Sequence, residues 1–363
     1  VDKLSLPWVH QGEHRSARFQ AWGELLWRRP LVWGAGALVV LLLLSFPVLS
    51  LKTGMPSIKV VPSEDSSRVG YDQVQEAFGT GAPGSLQIVT PQADAKQVQA
   101  VAKADPGVAQ VMAAMPGAGQ SALVQVVPAT DPSDPATGET VDRLRADLPP
   151  AALVGGAVAE NHDLEALLSE KTPLVIGVVL ILGFILLLVA LQAPVIAAVA
   201  VLTSLLGTAA AFGVAELIFQ EGWGSGLLGF ESQGFLDAWG PVFFFAMIFA
   251  ISMDYTVFLL SSAKEHWDKN HDAKEAMVGG LAHSGRVIFA AAAVMVAVFF
   301  TFALSGPLPP KEMGVILGVA VLLDAFLVRL LLLPVLLRLL GDAAWWLPKP
   351  LARILPDVRF GHN

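Results

Sequence analysis

The sequence contains no cysteine and little charge: Asp, Glu, Lys and Arg make up 15% of its 363 residues, against roughly 25% in an average soluble domain. The missing thiols exclude a disulfide scaffold, thiolate zinc sites, iron–sulfur clusters and a cysteine nucleophile. No G-x-x-x-x-G-K-[ST] segment cradles a phosphate, so ATP is not the expected energy source. No H-E-x-x-H or comparable spacing offers a metal site. No cofactor is therefore expected, and enzyme activity has no residue basis. The 33 Gly and 24 Pro are scattered without a period among 54% hydrophobic residues, which excludes collagen and a disordered chain. A net charge of −8 argues against a nucleic-acid partner.

What the chain does have is long apolar runs. Crossing roughly 30 Å of hydrocarbon at about 1.5 Å per residue takes about 20 residues. Six stretches qualify: 31–51, 173–191, 195–219, 241–262, 286–305 and 312–340. The first has an apolar core longer than the roughly 7–15 residues of a signal peptide. Thirty residues precede it, so it reads as a retained membrane helix.

Cations beside the spans give an orientation, because cytosolic loops retain Lys and Arg. Arg15, Arg18, Arg28 and Arg29 precede span one. Lys264, Lys269, Lys274 and Arg286 lie between spans four and five, and Arg338, Lys349, Arg353 and Arg359 close span six or follow it. All three groups fall on one side. The 220–240 loop has Glu221, Glu231 and Asp237 without a cation, and the Pro307–Lys311 turn has a single one. Both termini are thus expected in the cytosol. The 52–171 block, with 8 Lys/Arg against 15 Asp/Glu, is expected outside.

That block has periodicity of its own. Segments 85–90, 107–113, 121–127 and 152–157 read as strands, and 93–104 and 137–148 as helices. The order β-α-β-β-α-β is the ferredoxin-like arrangement, preceded by a further helix at 66–78 and interrupted by the turn-rich segment 131–135. The expected fold is an α-helical integral membrane protein. Six transmembrane helices carry an extracytoplasmic ferredoxin-like α/β insert between the first and second. The expected divisions are a cytosolic linker at 1–30, span one at 31–51, the insert at 52–171, spans two to six within 172–340, and a cytosolic tail at 341–363.

An ionisable side chain in mid-bilayer costs at least about 2.5–3.5 kcal/mol on insertion scales and so calls for a reason. Asp254, Asp324 and Arg329 are such residues. Counted from the outer ends of spans four and six, the aspartates lie roughly 20 and 18 Å deep. They are expected to meet at one level, where a desolvated acid pair can take up a proton on one side and release it on the other. Arg329 is five residues beyond Asp324, about 140° around an α-helix, and is expected to reach across helices instead of sharing a face with it. Tyr255 offers a hydroxyl to a carboxylate on a neighbouring span.

Plainer roles are open for each: a structural ion pair for Asp324 and Arg329, a filled helix interface for Tyr255, and backbone-bonded packing for Thr203, Ser204 and Thr208. Ala290–Ala293 offer small residues for close helix approach. Glu216, some 21 residues from the inner end of span three, is expected in the outer interface. His266, His271 and His283 are expected on an amphipathic cytosolic helix without a functional role.

Three motifs, on spans four, five and six, carry a family resemblance. They are Ser252-Met-Asp-Tyr-Thr-Val-Phe-Leu-Leu-Ser261, Gly279-Gly-Leu-Ala-His-Ser-Gly-Arg-Val-Ile-Phe-Ala290, and Asp324-Ala-Phe-Leu-Val-Arg329 running on through Pro334 and Gly341 to Trp345-Trp-Leu-Pro348. The chain resembles half of a resistance-nodulation-division transporter, and more narrowly the C-terminal half of the MMPL family. The resemblance implies that Asp254 and Tyr255 are proton-relay positions with Asp324 and Arg329 as partners. It also implies proton-motive-force-driven export of lipids or other hydrophobic molecules across the cytoplasmic membrane. Members commonly follow Asp-Tyr with Glu and place a basic residue after the Leu-Ser stretch, where this chain has Thr256 and Ser262.

The resemblance further implies a second six-helix half, as a missing N-terminal repeat or a second copy, because such transporters contain two repeats. The start at Val1 and the linker-like first 30 residues favour a fragment of a longer chain. Membrane lipids and a hydrophobic substrate are the other expected partners. The alternative reading is a non-transporting membrane module for lipid sensing or protein export with the same six helices.

Overall fold

The structure is a computed structural model that describes residues 15–356. Residues 1–14 and 357–363, with Arg359 and part of the expected linker and tail, lie outside the described residues. Helix α1 (Ala17–Arg28) is separated at Arg29 from α2 (Pro30–Ser45), whose end tightens into a 3₁₀ segment, Phe46–Ser50. Pro30 sits at the first position of α2, where its missing N–H costs nothing. Outside the bundle come β1 (Thr53–Gly54), α3 (Ser66–Phe78), β2 (Leu86–Pro91), α4 (Ala95–Ala104) and β3 (Val108–Val111). Next are β4 (Met115–Pro116), β5 (Ser121–Pro128), α5 (Pro135–Asp147) and β6 (Leu153–Gly155).

The chain then returns through α6 (Ala157–Leu191) and α7 (Pro194–Ala215), which ends in a π-helical turn, Glu216–Gln220. After α8 (Ser225–Leu228) and β7 (Leu236–Asp237) come α9 (Gly240–Asn270) and α10 (Ala273–Phe302). The last span runs through α11 (Leu308–Leu323), a π-helical stretch Asp324–Leu332, and α12 (Leu333–Leu340).

Six helical segments among the described residues are long and apolar enough to cross a membrane, in the order expected. Two boundaries differ from expectation. Span two does not start at a break after the insert: α6 is one 35-residue helix that carries β6 straight into the bilayer. The segment between spans four and five, expected in the cytosol, is no separate surface helix. It consists of the extended ends of α9 and α10, joined at His271 and Asp272, with His271 in the left-handed region.

In the insert, the strands lie in the order β3-β5-β2-β6 with every neighbouring pair antiparallel, the ferredoxin-like topology. Alternation along β2 turns Leu86 and Ile88 inward, where they meet Val98 and Ala102 of α4 and Val141 and Leu144 of α5. Strand β4, not anticipated, adds a short pairing to β5.

The bundle packs the third and sixth spans most deeply. Close approach depends on glycine: a Cβ on Gly213 of α7 would lie 1.9 Å from the Leu44 carbonyl oxygen of α2, and one on Gly280 would lie 2.8 Å from the Ala263 backbone. Of Ala290–Ala293 only Ala292 is buried, so that run is not the main close contact of α10.

Two parallel backbone pairs, Thr53 with Leu236 and Gly54 with Asp237, join β1 to β7. Around them Ser57 donates to Gln233, Lys52 N–H to Gln220 Oε1, and Lys59 and Arg68 pair with Glu231. This seam ties the base of the insert to the loop between spans three and four.

Candidate functional site in the membrane bundle

Spans three, four and six converge on a polar cluster. Arg329, fully buried, donates from Nε to Asp324 Oδ2 at 3.1 Å, and its Nη2 lies 3.0 Å from Asp324 Oδ1. The same Nη2 donates to Ser204 Oγ at 2.8 Å, to the Ser252 carbonyl at 3.1 Å, and to Ser252 Oγ. Ser252 Oγ donates in turn to Asp324 Oδ1 at 2.9 Å. Arg329 Nη1 has no hydrogen-bond partner among the described residues. A guanidinium cannot shed its charge, so this geometry holds a permanent cation in the bundle against one carboxylate and two serines.

The pairing of Asp324 with Arg329 corrects the cross-helix expectation. The helix from Asp324 to Leu332 is π-helical, with backbone bonds from i to i+5. Residue i+5 is then stacked near residue i, so Asp324 and Arg329 share a face that a regular α-helix would deny them. Pro334, just beyond, lacks the N–H that would bond the Leu330 carbonyl four residues back. Trp22 Nε1 of α1 occupies that carbonyl instead, at 2.7 Å.

Asp254 does not join the cluster, contrary to the expected pairing of the two aspartates. Ser252 points inward to Asp324, and two further residues turn the helix by about 200°. Asp254 is consequently exposed on the outer flank of α9, with no hydrogen bond or ion pair among the described residues. Tyr255 is half-buried and donates to the Met295 thioether of α10 at 2.8 Å, not to a carboxylate.

The packing role foreseen for the hydroxyls is observed: Thr203 and Ser204 bond the Ala200 carbonyl, and Thr208 that of Ser204. Ser204 has a second role, as a partner of Arg329. Ser252 was missed as a site residue because a serine in an apolar helix carries no signal beyond helix packing. Glu216 is buried at the end of span three nearer the insert, bonded by Ser50 and Gln220.

Above the bundle, a cavity of about 450 Å³ lies between the insert and the seam, lined in part by Tyr71, Pro132, His162, Glu165 and Phe235. A second, of about 670 Å³, is more polar in its walls, with Lys59, Arg68, Gln75 and Asp131 among them. Asp131 at the cavity edge is held below the ordinary carboxylate value. Burial alone would raise it, and bonds from Ser133, Gln75 and Tyr71 outweigh that.

Comparison with known proteins agrees with this architecture: the MMPL family model matches residues 70–356. The chain belongs to the MMPL family. The membrane protein YdfJ of Bacillus subtilis is 32% identical, over 97% of this chain and 50% of its own length. The mycolic acid-containing lipids exporter MmpL11 of Mycolicibacterium smegmatis is 33% identical, over 98% of this chain and 39% of its own. The trehalose monomycolate exporter MmpL3 of the same organism is 28% identical, over 94% and 36%. The chain therefore spans half or less of these curated relatives. The family is one of multi-pass membrane transporters, not enzymes, which fits the six apolar helices.

Proposed function

We propose that this MMPL chain is one six-helix repeat of a proton-motive-force-driven exporter of lipids or other hydrophobic molecules across the cytoplasmic membrane. In this reading both termini are cytosolic and the insert is outside. The exposure of Asp254 carries the reading. A carboxylate on the flank of an apolar span costs about 2.5–3.5 kcal/mol in lipid, so the face that bears it calls for a cover. A second six-helix half is the natural cover, because the relatives are about twice this length or longer and two-repeat transporters bring their ion sites to the repeat interface.

The roles divide by charge. Asp324 is committed to Arg329 through both carboxylate oxygens, and the pair forms a fixed frame across spans three, four and six. Asp254 has no cation tying it down. It is the group that exchanges a proton at the covered interface, with Tyr255 beside it. Ser252, one half-turn away, transmits the change to the frame through its bonds to Asp324 and Arg329. Helix movement then reaches the insert through α6, which is continuous from β6 into the membrane, and opens or closes the cavities above the bundle to substrate. The lipid class of the substrate is supported by the names of the two mycobacterial relatives.

The test is gradient-dependent efflux from vesicles holding the full-length protein, comparing wild type with Asp254→Asn. The variant is expected to remain monodisperse and lose gradient-driven transport. Undiminished transport in the variant would overturn the relay through Asp254, and an absence of gradient-driven efflux in wild type would return the chain to the non-transporting reading.

A further inference from the structure

Two of the apolar runs begin directly after arginine. No ionisable side chain occurs in residues 30–51, which follow Arg28 and Arg29, or in residues 287–302, which follow Arg286. Each of these arginines marks the edge of a stretch that belongs in hydrocarbon, the level at which lipid headgroups lie.

Helix α1 connects the two edges. The Ser16 N–H donates to the Ala282 carbonyl of α10 at 2.9 Å, and the Phe19 ring covers Gly285, where a Cβ would lie 2.6 Å from it. Arg18 and Arg286 therefore flank a single helix contact. From there α1 runs past Trp22, bonded to the Leu330 carbonyl, to Trp27, whose carbonyl accepts from Arg338 and whose ring lies 4.0 Å from that guanidinium. It ends at Arg29, where the backbone breaks before α2.

Gly23 and Leu26 bury one face of α1 against the bundle. The opposite face is bare. Arg18, Ala21, Leu25 and Arg28 lie within about 80° of one another around the helix, and all four are exposed. Two guanidiniums thus bracket a short apolar strip, a pattern that suits a helix lying in the headgroup layer.

The arginines are also unengaged. Arg18, Arg28, Arg29 and Arg286 are exposed, and their side chains make no hydrogen bond or ion pair among the described residues. Other cations at this end of the bundle do have partners: Arg15 pairs with Glu275, Lys264 with Asp268 and Lys269 with Glu265. Glu24, the one acid on α1, pairs with none of the four arginines. Leu31, Val287 and Phe289, next to them in the chain, are exposed apolar side chains.

We propose that α1 and the adjoining turn of α10 bind anionic phospholipid, one phosphate between Arg18 and Arg286 and a second headgroup at Arg28 and Arg29. A guanidinium takes two phosphate oxygens through parallel N–H bonds. The acyl chains lie over Leu25, Leu31 and Phe289. Unpaired cations at the rim of a bare apolar surface complement a negative leaflet, whereas the group that calls for a protein cover, Asp254, lies on α9. This end of the bundle is the cytosolic one in the proposed orientation, and the site does not depend on the relay through Asp254.

The test is native mass spectrometry of the full-length protein in mild detergent, titrated with phosphatidylglycerol or with phosphatidylcholine of the same acyl chains. A cation near a membrane surface strengthens attraction to anionic lipid about fivefold, so each arginine pair is expected to favour phosphatidylglycerol about 25-fold. Arg18→Gln with Arg286→Gln, and separately Arg28→Gln with Arg29→Gln, should each hold one phosphatidylglycerol fewer than wild type. Lys96→Gln with Lys103→Gln removes the same charge from the exposed side of α4 in the insert and is expected to leave the number unchanged. Excess inorganic phosphate is expected to leave the lipid bound. Equal affinity of wild type for the two lipids, an arginine variant that keeps the wild-type number, an equal loss in the lysine control, or displacement by inorganic phosphate, the mark of a free-anion site, would overturn the proposal.

Discussion

Replacing Arg329 by Met tests whether the buried cluster holds the bundle together. The guanidinium supplies both contacts to Asp324 and further bonds to Ser204 and Ser252. Methionine fills similar space but leaves Asp324 as a buried charge whose remaining donor is Ser252 Oγ. Removing one partner of a buried ion pair costs about 3–5 kcal/mol, or roughly two to three and a half powers of ten in the folded-to-unfolded ratio. Asp324→Asn leaves the guanidinium, which cannot shed its charge, facing an amide oxygen and two serines in place of a carboxylate, and falls in the same range. The double variant removes both charges and should recover most of the loss, since neutral replacement of a whole buried pair is often harmless. Equilibrium unfolding in mixed detergent micelles, run as a double-mutant cycle, measures all three. A loss of less than about 1 kcal/mol for Arg329→Met, the value of an exposed pair, or strict additivity in the double variant, would refute the argument.

Gly213→Ala should destabilise the bundle by about 1–3 kcal/mol through overpacking, because its Cβ would meet the Leu44 carbonyl at 1.9 Å; thermal unfolding checks this. In the insert, a bond from the Arg143 guanidinium holds the Asp105 carboxyl below its ordinary value, aided by the Gly107 N–H and opposed by burial. A lowered folded-state value means that the contribution is complete above the ordinary carboxylate range and is lost as pH falls through the folded value. Arg143→Gln should therefore speed amide exchange in α5 and β3 at neutral pH, with the difference from wild type vanishing in acid.

The architecture was legible because its signals are local and strong. A run of about 20 apolar residues has few destinations other than a bilayer, and alternation in Leu86-Gln-Ile-Val-Thr90 specifies a half-buried strand wherever it lies. The helix expected at 66–78 is observed as Ser66–Phe78. The individual ionisable residues of the cluster were legible too, because charge is rare in such runs. Their partners were not. Asp324 and Arg329 meet through a π-helical stretch that residue spacing alone does not announce, and Ser252 looks like any small residue in a packed helix. The burial of Glu312 on α11 was not legible, because span six was expected to begin at that residue, which placed it at the water boundary.

The sequence by itself determined that the chain spans a membrane six times, that a ferredoxin-like insert follows the first span, and which few residues are out of place in hydrocarbon. These depend on composition and period along one helix or strand. Only the tertiary structure decided where each polar group lies: Asp324 turned inward to Arg329, Asp254 outward, and Glu312 buried. The rotation of each helix about its axis is set by packing against its neighbours, and about half a turn separates Ser252 in the buried cluster from the exposed Asp254.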